Sequence, residues 1–216
     1  MKIVVATNNS NKIKEISEIF SKLGFEVVSQ HEAGIDIEVE ETGDTFAKNA
    51  LLKARAVSTL CDEYVMADDS GLCVDSLDGR PGVLSARYAG ENASDIQKIE
   101  KLLEELGDET NRKAKFVTNI AFIFPDGREI VTQGEVQGRI LSEPAGNNGF
   151  GYDPVFFCPE LGKTFAQASA EEKNNVSHRG RALAALYEEL EKERERVKNN
   201  GYFYGATCTK EKGFKG

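Results

Sequence analysis

The sequence predicts an α/β or α+β fold built on a mixed β-sheet. Three features point there. Strand-like and helix-like apolar patterns alternate through the first half of the chain, the apolar period shortens to that of a strand from Phe116 onward, and Pro125-Asp126-Gly127 then offers a tight turn between two such runs. Alternating strands and helices build a parallel sheet, and a hairpin adds antiparallel strands to it. The 216 residues are enough for a sizeable core in one or two domains. No linker divides them, so the chain reads as one unit.

The elements follow in order. Residues 2–6 are apolar and β-branched, which suits a short buried strand, and Thr7-Asn8-Asn9-Ser10-Asn11 makes a polar turn after it. Ile13, Ile16, Ile19, Phe20 and Leu23 then recur at helical spacing, with Gly24 as the stop. Residues 25–28 read as a second strand. A helix beginning near Thr45 puts Phe46, Ala50, Ala54 and Val57 on one face. Residues 64–67 form a strand that ends in Asp68-Asp69-Ser70-Gly71, and residues 78–82 (Asp-Gly-Arg-Pro-Gly) are a loop. Ser94 and Gln97 have the spacing of a capping box ahead of an apolar stripe of Ile96, Ile99, Leu103 and Leu106. Residues 116–124 and 129–136 form the hairpin. Residues 143–152 are rich in Gly and Asn and read as loop. A short strand over 155–157 and a last helix from Ser177, with Leu183, Leu186 and Leu190 inward, complete the series.

Charge limits the partners. The net charge is −9, from 27 basic and 36 acidic residues. An acidic chain is a poor match for a nucleic-acid polymer or an anionic membrane surface, both of which demand a basic face. The acids are also unevenly placed. Residues 32–47 hold Glu32, Asp36, Glu38, Glu40, Glu41 and Asp44, and residues 62–79 hold Asp62, Glu63, Asp68, Asp69, Asp75 and Asp78, with no Lys or Arg in either stretch. No apolar run reaches the ~20 residues of a membrane span. Residues 1–6 pass directly into polar sequence, unlike a signal peptide. Cys61, Cys73, Cys158 and Cys208 form no CxxC pair. They read as free thiols in a reducing cytosol, and the expected location is cytoplasmic.

Four groups of residues could carry chemistry. Thr7, Asn8, Asn9, Ser10, Asn11 and Lys12 lie between strand and helix, where amides, hydroxyls and an ammonium can hold an anion. The glycines and GK[ST] ending of a Walker A loop are missing, and an ordinary strand-to-helix turn has the same composition. Glu40-Glu41-Thr42-Gly43 is the second group and Asp68-Asp69-Ser70-Gly71 the third. Adjacent carboxylates at a strand's carboxyl end suit Mg²⁺, which takes hard oxygen ligands and borrows phosphate oxygens. A carboxylate beside such an ion can accept a proton from water. A solvated acidic loop is the alternative for Glu40-Glu41. The fourth group joins Phe150, Gly151, Tyr152, Asp153 and Pro154 to Lys173 and Ser177-His178-Arg179. Aromatic rings stack on bases, and His and Arg donate to carbonyl oxygens. A plain amphipathic helix start reads equally well from His178 alone.

These strings together resemble the non-canonical purine nucleoside triphosphate pyrophosphatases, which cleave inosine and xanthosine triphosphates. The resemblance runs from Lys2 to about Leu190. It rests on Ala6-Thr7-Asn8-Asn9-Ser10-Asn11-Lys12, Glu40-Glu41-Thr42-Gly43-Asp44-Thr45-Phe46, Ala67-Asp68-Asp69-Ser70-Gly71-Leu72, Pro81-Gly82-Val83-Leu84-Ser85-Ala86-Arg87-Tyr88, Phe150-Gly151-Tyr152-Asp153-Pro154 and Ser177-His178-Arg179. It implies an elongated mixed β-sheet flanked by helices, with two lobes and a central active-site cleft, in a homodimer. It implies hydrolysis of ITP, dITP and XTP to monophosphate and pyrophosphate. Asp69 would be the general base, and Glu40 with Asp69 would hold magnesium. Thr7 to Lys12, Ser70, Phe150, Gly151, Tyr152, Asp153, Lys173, His178 and Arg179 would contact the purine nucleoside triphosphate. On this basis residues 1–190 form one two-lobed domain, and 191–216 are a C-terminal extension of unassigned role. Lys48 and Leu84 depart from the usual pattern, which favours Glu and an aromatic at those places. Two rivals stay open: a house-cleaning pyrophosphatase for modified pyrimidine triphosphates, and a nucleotide- or metal-binding module without turnover.

Overall fold

The computed structural model describes residues 2–21 and 24–199. The expectations for Leu23 and for the tail with Tyr202, Phe203, Tyr204 and Cys208 lie outside the described residues. Among the described residues, seven strands form one mixed sheet: β1 (Lys2–Val5), β2 (Glu26–Ser29), β3 (Tyr64–Val74), β4 (Lys113–Ile123), β5 (Glu129–Ile140), β6 (Phe156–Cys158) and β7 (Lys163–Thr164). Their spatial order is β2-β1-β3-β4-β5-β6-β7. The β2, β1 and β3 strands run parallel, and every pair from β3 to β7 is antiparallel. The mixed α/β sheet expected from the sequence is therefore present.

Among the described residues, five α-helices cover the sheet: α1 (Ser10–Phe20), α2 (Phe46–Ser58), α3 (Asp95–Leu106), α4 (Ala170–Val176) and α5 (His178–Asn199). Strand alternation decides which face each helix covers. Ile3, Val5, Met66, Ile120 and Phe122 point to one face and pack with Ile16 and Phe20 of α1 and Ala182, Leu183 and Leu186 of α5. Val4, Ala6, Val65, Ala67, Ala121 and Ile123 point the other way, onto Ala50, Ala54 and Val57 of α2. Farther along β3 and β4, Leu72, Val74, Ala114 and Phe116 pack with Ile99, Leu102 and Leu106 of α3. The helical stripe of α3 therefore runs through Leu102, and Ile96 is exposed.

Local chemistry sets the helix starts. The Thr45 hydroxyl accepts from the Lys48 amide, and Ser94 with Gln97 forms the reciprocal capping box foreseen in the sequence. A second such box, Ser169 with Glu172, starts α4, an element the sequence reading missed. Ser177 is extended, ends α4, and accepts from the Gly180 amide in the first turn of α5.

One expectation is overturned. The Asp68-Asp69-Ser70-Gly71 string does not end its strand; β3 continues to Val74. Asp and Gly are poor strand formers, but here each residue from Val65 to Val74 has an antiparallel partner on β4, with Asp69 opposite Asn119. Neighbouring β1 does stop, its last register partner being Val5 with Met66. Beyond Met66 the β1 side of β3 therefore has no strand beside it.

Candidate active site

A cleft of about 380 Å³ opens along that uncovered edge. Its walls come from the loop after β1, from Ile37, Glu38, Val39 and Glu41, from the middle of β3, from the turn around Ser85, and from Phe150, Gly151, Tyr152, Asp153, Lys173, His178 and Arg179.

Because β-strand neighbours alternate, Asp68 and Asp69 leave the strand on opposite faces. Asp68 is fully buried on the face of α1 and α5. Its Oδ2 lies 3.1 Å from Lys12 Nζ and accepts from Arg179 Nη2 at 3.0 Å. Burial favours the neutral acid, but Lys12, Arg179 and Lys53 outweigh it and hold the carboxyl well below its ordinary range. Asp69 faces α2. Its Oδ2 accepts from Asn49 Nδ2 at 3.1 Å, and Lys53 Nζ lies 3.7 Å from its Oδ1. Burial raises this carboxyl; Lys53 opposes that, Glu41 reinforces it, and the net shift is upward.

Lys53 ties the edge together. It donates to the carbonyl oxygen of Asp68 at 2.8 Å and to Glu41 Oε1 at 2.6 Å. Asn49 lies one helical turn before Lys53 on α2. Its Oδ1 accepts from the Gly43 amide at 2.7 Å, which anchors the loop that carries Glu41 beside Asp69. Gly71 is a point of close backbone approach. A Cβ there would collide with the Gly82 carbonyl, the Ser85 hydroxyl and the Phe46 ring. Ser85 accepts from the Leu72 amide and donates to the Gly82 carbonyl, which fixes the turn against β3.

The opposite wall is a buried ion network. Lys173 Nζ donates to Asp153 Oδ2 at 2.6 Å and Glu15 Oε1 at 2.8 Å, and lies 4.8 Å from the centre of the Phe150 ring. Glu15 also pairs with Arg179. Asp153 Oδ2 accepts from the Phe150 amide, Asp95 Oδ2 accepts from the Gly151 amide at 2.6 Å, and the Tyr152 hydroxyl donates to the Ser85 carbonyl. Together these bonds fix the conformation of the 150–153 loop. His178 stacks on Phe116 with ring centres 4.7 Å apart. It is buried, its Nδ1 has no partner among the described residues, and burial with Arg179 and Lys173 nearby keeps it neutral well below its ordinary pKa.

Most of the residues singled out from the sequence meet here. Thr7, Asn8, Asn9, Asn11, Lys12, Asp69, Ser70, Phe150, Gly151, Tyr152, Asp153, Lys173, His178 and Arg179 all line the cleft. Ser10 and Glu40 do not; both are exposed, and the carboxylate turned toward Asp69 is that of Glu41. The amides of Asn9, Asn11 and Lys12 are satisfied locally, by Thr7 Oγ1 and Asn9 Oδ1, so the Lys12 ammonium is the stronger anion donor of that loop. Lys48 pairs with Asp44 on the surface and adds no charge to the cleft. Sequence reasoning missed Glu15, Asn49, Lys53, Asp95 and Lys98. Helical spacing was the available signal for one of them: Glu15 lies three residues after Lys12 on α1.

The Ham1 family model matches residues 3–189. A protein of Clostridium perfringens named dITP/XTP pyrophosphatase is 49% identical over 197 residues, covering 88% of this chain and 97% of that protein. The solved Ham1 protein of Staphylococcus aureus superposes with a TM-score of 0.80 at 48% identity, covering 89% of this chain and 100% of the other. A HAM1 protein from Coxiella burnetii gives a TM-score of 0.81 at 40% identity, covering 89% and 99%. With its mixed sheet, its cleft along β3 and these similarities in hand, the chain belongs to the Ham1 family.

Proposed function

We propose that this chain hydrolyses non-canonical purine nucleoside triphosphates (ITP, dITP, XTP) to the monophosphate and pyrophosphate, with Mg²⁺ as its metal. The carrying observation is the pairing of Asp69 and Glu41 on the edge of a cleft whose other walls hold cations and an aromatic ring. The name of the Clostridium perfringens relative, dITP/XTP pyrophosphatase, supports the same reading.

The donor set fits the metal. Among the described residues no three His, Cys, Asp or Glu side chains cluster as a ready cage. Of the carboxylates that line the cleft, Glu41 and Asp69 share the Lys53 ammonium at one edge, and Mg²⁺ is commonly held by one or two carboxylates together with phosphate oxygens. When bound, the metal polarises phosphoryl oxygens and neutralises their charge.

The chain's own residues divide the rest of the work. Asp69 takes the proton of the water that attacks the α-phosphorus; its upward-shifted pKa makes it a better proton acceptor than an exposed aspartate. Lys12 and Lys53 meet the phosphates and offset charge on the leaving pyrophosphate. Lys173 covers one face of Phe150, and the other face stacks the base. Neutral His178 donates one N–H to the 6-oxo oxygen of hypoxanthine or xanthine. Adenine places an amino donor there, so a buried donor faces a donor and binding is penalised.

The family resemblance implies a homodimer, and the reading of the cysteines as free thiols in a reducing cytosol supports a cytoplasmic location. A pyrophosphate-release assay over purine and modified pyrimidine triphosphates, with and without Mg²⁺, tests the reading. Fast metal-dependent release from ITP, dITP and XTP is expected. Preference for a modified pyrimidine, or tight ITP binding without release, would favour one of the rivals.

A further inference from the structure

We infer that Lys53 and Arg87 hold divalent metal off the nucleotide-free chain, so that metal enters together with the triphosphate. This rests on the assignment of Glu41 and Asp69 as the metal's carboxylates.

The charges around those two groups balance. Glu41 Oε1 takes the Lys53 ammonium at 2.6 Å, and its Oε2 lies 3.7 Å from Arg87 Nη1. The same Lys53 ammonium is 3.7 Å from Asp69 Oδ1. Two negative charges thus face two positive ones. Asp68, the preceding residue of β3, adds no surplus, because Lys12 and Arg179 already lie 3.1 and 3.0 Å from its Oδ2. A divalent cation approaching Glu41 and Asp69 meets two carboxylates already balanced by Lys53 and Arg87 and must push an ammonium out of a 2.6 Å contact. Like charges at such range repel strongly in a site where Lys53 and Asp69 are both largely shielded from water.

A triphosphate changes that balance. Its oxygens give Lys53 and Arg87 other acceptors and bring several negative charges for the metal. Metal and nucleotide therefore strengthen each other's binding, and linkage makes the effect reciprocal. Lys53 carries most of the coupling because it touches both carboxylates; Arg87 touches only Glu41.

The experiment is a Mn²⁺ titration of the nucleotide-free chain, read by the electron paramagnetic resonance signal of unbound Mn²⁺. Wild type is compared with Lys53→Met and Arg87→Met, and thermal melts verify folding. Lys53→Met should bind Mn²⁺ at least about tenfold more tightly than wild type. Arg87→Met should shift in the same direction by less, and Glu41→Gln placed in the Lys53→Met background should abolish the gain. Unchanged or weaker Mn²⁺ binding in both single variants overturns the inference, and Arg87→Met alone decides it if Lys53→Met does not fold. The underlying reading fails separately: wild-type pyrophosphate release from ITP that persists in excess chelator would remove the metal from the account altogether.

Discussion

Asp68 and Asp69 are consecutive in β3 yet face opposite sides of the sheet, one buried under Lys12 and Arg179, the other turned toward Asn49, Lys53 and Glu41. One strand position thus separates a carboxylate that organises cations from one available to water. The two aspartates should respond to mutation in different ways.

Asp69→Asn keeps the shape of the side chain and removes the proton acceptor. Turnover of ITP should fall by about 10²–10⁴-fold, with the melting temperature unchanged or raised, since burial already disfavours the charged form of Asp69. Steady-state kinetics and a thermal melt measure both. A variant with near-wild-type turnover would remove Asp69 as the base.

Asp68→Ala should act first on stability. It leaves Lys12 and Arg179 in a buried site with one fewer counter-charge, a change that costs about 3–5 kcal/mol. Urea denaturation reads the loss. A variant as stable as wild type would show that the pairs to Lys12 and Arg179 do not hold α1 and α5 against β3.

Glu40 and Glu41 separate by the same reasoning. Glu41→Gln should raise the metal concentration needed for half-maximal activity at least about tenfold. Glu40→Gln, on an exposed side chain, should stay within about twofold of wild type. The reverse pattern would return the metal role to Glu40.

His178 makes stability depend on pH. Its pKa in the folded chain lies well below the ordinary 6.5 because the ring is buried, with Arg179 and Lys173 adding to the effect. Below about pH 6.5 the unfolded chain binds a proton that the folded chain resists, so the contribution of His178 is complete above 6.5 and is lost as the pH falls toward the folded value. The melting temperature should therefore drop between pH 7.5 and 5.5, and by less in His178→Asn. Equal drops in the two proteins would mean that other groups carry the acid sensitivity.

Much of the fold was legible because local signals agreed with the tertiary structure. The Ser94–Gln97 capping box, the Thr45 cap and the Pro125-Asp126-Gly127 turn act within a few residues, and each lies where the sequence places it. The course of β3 past Ala67 was hidden, because its strand character comes from pairing with β4 and not from Asp68, Asp69 or Gly71 themselves. Which of Glu40 and Glu41 turns toward Asp69 was hidden for a related reason. It depends on Asn49 holding the Gly43 amide, a contact that spans a loop and a helix start. Gly134 was a signal left unread: a glycine inside a strand marks close backbone approach, and a Cβ there would strike the His178 carbonyl and the Ala182 amide of α5.

Water attack on the α-phosphorus, directed by Asp69, is the central claim, and oxygen labelling tests it most directly. ITP is hydrolysed in H₂¹⁸O and the products are weighed by mass spectrometry. The account predicts one ¹⁸O atom in the inosine monophosphate and none in the pyrophosphate. Label in the pyrophosphate, or release of orthophosphate in its place, would contradict it.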